Sequence, residues 1–258
     1  MKHLLIIICS SLLFGCATAP PPATPPIAPP KLILILVGGN SEAIHDGGLW
    51  KLYKGSLGTD KKYSLLKNLE GRTNLSGSEI ATYYFSWTGD DESLRDNWLP
   101  SHGSWVTGGS AWIERSVGGV LNMHPTAQVA IFGWSNGGAT AYELACTLSA
   151  KRALGLLVTL DPVSWTTKPC TYYSEGRTLT PTPWVNVYTS SGLLSRLNAG
   201  NIIALVGRAW DADKLPSKVS KESLHKSEDT NHGATETMWR KVLEDKTFDK
   251  WASSFSAR

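Results

Sequence analysis

The chain has 258 residues, enough for one large domain with a substantial core or two small ones. Its formal charge of +3 is small, and no run of Lys or Arg interleaves with aromatic residues as a phosphate-tracking groove requires; nucleic acid is excluded as the expected partner. An apolar content of 41% with 18% charged residues is that of a globular sequence rather than a disordered or fibrous one.

Met1-Lys2-His3 is a short basic start, and Leu4 to Phe14 is an apolar stretch too short for a stable membrane span. Together they read as an export signal. Leu13-Phe14-Gly15-Cys16 resembles the lipobox of bacterial lipoproteins, with a small residue just before a cysteine. That resemblance implies a signal peptide over 1–15, lipid on Cys16 and attachment to a bacterial cell envelope. Ala17 stands where retention at the inner membrane would call for Asp, which points to the outer membrane. The alternative is ordinary cleavage near Ala17 or Ala19, with Cys16 incidental. Ala17 to Pro30 is half proline, so residues 16–30 read as an extended tether of roughly 40 Å at ~3.1 Å per residue. The globular domain then occupies 31–258.

Leu32 to Val37 is a continuous aliphatic run that ends in Gly38-Gly39 and predicts the first strand. Further strands are expected at Ala81 to Trp87, Gln128 to Phe132, Leu154 to Leu160, Trp184 to Tyr188 and Ile202 to Val206. Runs that are apolar throughout, rather than alternating, imply a sheet covered on both faces. Helical periodicity lies between them, at Trp112 to Asn122, Gly137 to Ala150 and Ala234 to Asp245. Strand alternating with helix predicts an α/β fold: a mostly parallel sheet with helices on both faces. Thr88 to Gly109 and Trp165 to Pro183 are long, irregular and aromatic, and are the expected loops over a site.

Gly133-Trp134-Ser135-Asn136-Gly137 matches G-x-S-x-G, follows an apolar strand and opens a helix of small residues. This is the strand–turn–helix context of a nucleophile elbow. The serine must sit in a strained tight turn with its hydroxyl exposed, and flanking side chains would collide there. The elbow, the strand order and Leu160-Asp161-Pro162-Val163 on the next strand resemble the α/β-hydrolase superfamily, particularly its lipase- and esterase-like members. The resemblance runs from about Lys31 to the C-terminus.

It implies a Ser-His-Asp triad with Ser135 as nucleophile. His225 and His232 fall where the family order Ser, acid, His places the base. Asn231-His232-Gly233 is a turn just before the final helix, which favours His232 over His225. His124 reads as structural, and His45 and His102 as loop residues. The exit of the strand at Trp184 to Tyr188 offers no carboxylate. Asp161 is therefore the expected acid, at an alternative position that some lipases use, with Asp211 and Asp213 as rivals. The backbone N–H of Asn136 is the expected first oxyanion donor. The second falls in Gly38-Gly39-Asn40-Ser41, at Asn40 or, nearly as well, at Gly39. Cys146 and Cys170 remain in an export compartment that permits disulfides. A bridge worth roughly 3 kcal/mol and two free thiols are both open.

The expected activity is hydrolysis of carboxylic esters, of small molecules or lipids, with no cofactor and no metal. The fold also hosts thioesterases, amidases and peptidases, and a non-catalytic envelope lipoprotein that binds partners is the reading from another class. Oligomeric state is not legible. Cys16→Ser should move the protein from the membrane fraction to the soluble one with its esterase activity intact. Palmitate incorporation persisting in that variant would contradict the lipobox.

Overall fold

The computed structural model describes residues 28–39, 48–55, 64–85, 109–164, 182–189, 208–209, 224–227 and 233–256. The first strand, β1, is Leu32–Val37, and all six of its residues are buried. Two short helices follow, α1 (Gly48–Lys54) and α2 (Leu65–Thr73), before β2 (Ile80–Phe85). The centre of the chain is α3 (Gly109–Met123), β3 (Gln128–Trp134), α4 (Asn136–Ser149) and β4 (Leu156–Leu160). Then come β5 (Val163–Ser164), β6 (Trp184–Thr189), β7 (Arg208–Ala209) and β8 (Leu224–Ser227). Two helices, α5 (Thr235–Leu243) and α6 (Lys246–Ser253), finish the described chain.

Six strands form one sheet in the order β2-β1-β3-β4-β6-β8, and every pairing in it is parallel. β5 and β7 make a separate antiparallel pair. Alternate residues along each strand serve opposite faces, because strand side chains alternate. Leu32, Leu34 and Leu36 join Ala130, Phe132, Val158 and Val187 under α1, α2, α5 and α6. Ile33, Ile35 and Val37 join Val129, Ile131 and Leu157 under α3 and α4. Both faces are thus dry, which is why the strands read as unbroken apolar runs. This is the α/β arrangement expected from the sequence, and its strand order and elbow are those of the α/β-hydrolase fold.

One expectation changes. Ile202 to Val206 lies outside the described residues, as do residues 1–27; the last strand of the described sheet is Leu224–Ser227. That strand pairs only with β6 among the described residues, and a short edge strand needs no aliphatic run to form. His225 consequently lies in β8, opposite Val187, rather than in the segment after the last strand. The helix expected over Ala234 to Asp245 is present as α5, and a further helix that the sequence reading does not predict, α6, follows it. The Asp245 carboxylate accepts from the backbone of Thr247 at 2.7 Å and Phe248 at 3.1 Å, so it starts α6 as an N-cap. Among the described residues no helix is long and apolar enough to cross a membrane.

Candidate active site

In a parallel sheet all strands exit at one edge, and here three exits converge on a single serine. β3 runs directly into α4 through Ser135, whose φ is 57° and ψ −131°. That conformation is sparsely populated for a residue with a Cβ and costs of order 1–3 kcal/mol. It persists because hydrogen bonds over-determine it. The Ser135 N–H donates to the Leu160 carbonyl at 2.9 Å, and the Ser135 carbonyl accepts from Gly138 at 2.9 Å and Val163 at 3.0 Å.

The flanking glycines are required by contact distances. A Cβ on Gly133 would lie 2.4 Å from the Gly137 carbonyl oxygen and 2.6 Å from Ala141 Cβ. One on Gly137 would lie 2.1 Å from the Gly38 carbonyl oxygen and 2.3 Å from that of Val37. The first turn of α4 is therefore pressed against the exit of β1, with no room for a side chain between them. Gly138 meets Pro162 in close packing, its Cβ position 3.1 Å from the proline Cα.

Asp161 follows β4 as Ser135 follows β3, and the register pairs Trp134 with Leu160. The two residues are thus matched positions on neighbouring strands, whose backbones run about 4.8 Å apart. Asp161 is 1% exposed and also has positive φ, at 43°. Its N–H donates to Val187 of β6 at 2.6 Å. Leu160 and Val163 bracket it, and both are bonded to the backbone of Ser135. The strand exit that carries the carboxylate is tied to the serine on either side.

The remaining expected residues divide sharply. Asn136 opens α4, where the first amides of a helix lack intrahelical acceptors and the helix end favours negative charge. Gly39 is buried, and a Cβ on it would lie 3.1 Å from Ser135 Cβ, so the chain leaving β1 lies against the serine. Asn40, His232, Asp211, Asp213, His45, His102, Cys16 and Cys170 lie outside the described residues, and of His225 only the backbone is described. His124 ends α3 ahead of β3, at the opposite edge of the sheet from Ser135. Cys146, buried on α4, is disulfide-bonded, to a partner outside the described residues. Tyr142, one turn earlier, packs on Trp184 with ring centroids 4.7 Å apart. Its hydroxyl is pushed up to about 12 by burial, which keeps it protonated at neutral pH.

One departure concerns exposure. Ser135 is only 2% exposed, so the elbow is strained as the motif demands but covered rather than open. Sequence reasoning also missed the seat of Trp134. Its indole touches the positions of Gly39 and Gly48, and Gly48 in turn meets Thr235 at the start of α5. No local pattern announces contacts among segments so distant in the chain.

No protein-family model matches the sequence, and no curated protein matches it. Solved structures do match. An α/β serine hydrolase without a lid from Xanthomonas campestris is 13% identical, with a TM-score of 0.42; the match covers 88% of this chain and 85% of that one. A methylesterase from Arabidopsis is 16% identical, with 84% and 99% covered and a TM-score of 0.39. A cutinase-like protein from Cryptococcus sp. is 13% identical, with 88% and 93% covered and a TM-score of 0.37. Likeness at this level assigns no role to any residue of the present chain.

The tight fit at the elbow can be tested by stability alone. Gly137→Ala must push α4 away from β1, at the upper end of overpacking costs, about 3 kcal/mol. Urea denaturation should show that loss. A Gly137→Ala midpoint equal to that of the parent would contradict the contact.

Proposed function

We propose that the chain is a serine hydrolase acting on carboxylic esters, with Ser135, His232 and Asp161 as its triad. One observation carries this reading. Two strained, buried polar residues, Ser135 and Asp161, stand side by side at neighbouring strand exits and are tied together through their backbones. Backbone strain that the surroundings must hold in place concentrates at functional sites, and a serine and a carboxylate at neighbouring exits of a parallel sheet are two of the three groups that a Ser-His-Asp triad needs.

In this mechanism the Ser135 Oγ attacks the ester carbonyl while His232 takes its proton. His232 returns that proton to the departing alkoxide, and a water then attacks the acyl-enzyme with the same base assisting. Asp161 orients the imidazole and stabilises its protonated form. The oxyanion sits between the Asn136 N–H at the head of α4 and a second donor at Asn40 or Gly39. His232 is favoured as base by its place in the chain. It lies in the connection from β8 to α5, and α5 begins at Thr235, which packs on Gly48 beside Trp134. His225, held within β8, is the weaker candidate.

The anchor and the disulfide belong to the same proposal. Lipid on Cys16 and the proline-rich tether would place the domain at the outer membrane surface, where acyl esters of lipids are at hand. The disulfide of Cys146 would be made with Cys170, the other cysteine of the exported domain.

Turnover of p-nitrophenyl esters tests the triad. Ser135→Ala and His232→Ala should each lower it by about 10³ or more, and the double variant should lose little beyond either single one. Asp161→Asn should cost a comparable factor, because Asn stabilises the wrong imidazole tautomer. The rate should rise with pH through one ionisation near the histidine value of ~6.5. Loss of activity in His225→Ala with retention in His232→Ala would reassign the base. Full activity in Ser135→Ala would overturn the proposal.

A further inference from the structure

The residue immediately before the nucleophile is a tryptophan, and its indole is seated on two glycines. A Cβ placed on Gly39 would lie 2.7 Å from Trp134 Cε3 and 2.8 Å from its Cζ3. A Cβ placed on Gly48 would lie 3.6 Å from the same Cζ3. One edge of the six-membered ring therefore rests against bare backbone from the chain leaving β1 and from the first residue of α1. The ring is half-buried and packs on the cluster beneath α1, α2, α5 and α6. The contact with Gly39 is closer than any side chain there would allow, so that glycine is part of the fit rather than an incidental small residue.

Gly39 also faces the nucleophile, since its Cβ position lies 3.1 Å from Ser135 Cβ. The Cβ side of Gly39 thus lies against both the Trp134 ring and Ser135, two successive residues of the elbow. The N–H of Gly39 is a candidate second oxyanion donor, so what Gly39 rests against bears on where that donor sits. We infer that Trp134 is a positioning residue, whose indole edge sets how closely the β1 exit approaches Ser135 and so places the second oxyanion donor at Gly39. This rests on the serine-hydrolase reading above. Trp134 touches no reacting atom in this role; it acts through Gly39. Oxyanion donors work only when aimed in advance at the developing charge, and a displacement of about 1 Å can cost about 10²-fold in rate. A ring used merely for packing would lower stability and leave kcat alone.

The test compares Trp134→Ala, Trp134→Phe, Gly39→Ala and the Gly39→Ala/Trp134→Ala double variant in the full chain. The measurements are kcat and KM on p-nitrophenyl butyrate, together with the rate at which a fluorophosphonate labels Ser135. Trp134→Ala should lose about 30- to 100-fold in kcat and in labelling rate, with KM within about threefold of the parent. Trp134→Phe keeps a flat ring and should recover most of that loss. Gly39→Ala should cost a similar factor, and the double variant should lose clearly less than the product of the two, because both changes act on one contact. A kcat unchanged in Trp134→Ala, a loss confined to KM, or fully multiplicative effects would each overturn the inference. If circular dichroism shows that Trp134→Ala does not fold, Trp134→Leu takes its place, with at least a roughly tenfold loss of kcat expected and an unchanged kcat overturning the inference. A parent chain that does not label at Ser135 would overturn the serine-hydrolase reading itself. A parent that labels beside a Trp134 variant of equal rate would overturn only the role of Trp134.

Discussion

A serine with φ 57° and ψ −131° is held away from the favourable regions of backbone space at a cost of about 1–3 kcal/mol, and the neighbouring strands supply the restraint. The Ser135 amide is fixed by the end of β4, and its carbonyl by Val163 and the first turn of α4. Space is as important as bonding. The head of α4 lies so close to the exit of β1 that Gly137 has no room for a Cβ, and so close to the end of β3 that Gly133 has none. The chemistry of the site, the packing of α4 on the sheet and the placement of Asp161 all depend on that one tight turn.

The sheet makes such a turn sustainable. β3 lies between β1 and β4, so the elbow has a neighbour on each side to press against. The aliphatic layers on the two faces, Leu32, Leu34 and Leu36 on one and Ile33, Ile35 and Val37 on the other, fix the height of each exit. Below the site, Thr159 accepts from Trp184 Nε1 at 2.9 Å and donates to Asn186 Oδ1 at 2.8 Å. That buried polar chain locks β4 to β6 just short of Asp161. Rigidity at the base of the strands is what lets two residues at their ends occupy strained conformations, as preorganised sites require.

Much of this is legible in the sequence because burial on both faces leaves a strong signature. β1, β3 and β4 read as continuous aliphatic runs, and the glycines around Ser135 mark the elbow by their spacing alone. Other parts are illegible for definite reasons. α1 is seven residues long with four of them buried, too short for periodicity to show. α6 is eight residues long with three of them buried, again too short for a stripe to show, and its start is set by the Asp245 carboxylate. β8 is short and polar, so the aliphatic pattern points upstream of it and leaves His225 in a loop. The seating of Trp134 on Gly39 and Gly48 is a purely tertiary matter. The cover over Ser135 is equally beyond a motif, which describes the turn and not what lies on it.

The central claim is that Ser135 is an acylating nucleophile, and the acyl-enzyme itself is its most direct evidence. The chain would be mixed with p-nitrophenyl acetate, quenched in acid within the first turnover, digested with trypsin, and sequenced by mass spectrometry. The expected result is a burst of about one equivalent of p-nitrophenol and an acetyl group on Ser135 within the peptide from Ser116 to Lys151. Ester turnover without a burst, or with the acetyl group on any residue other than Ser135, would contradict the claim.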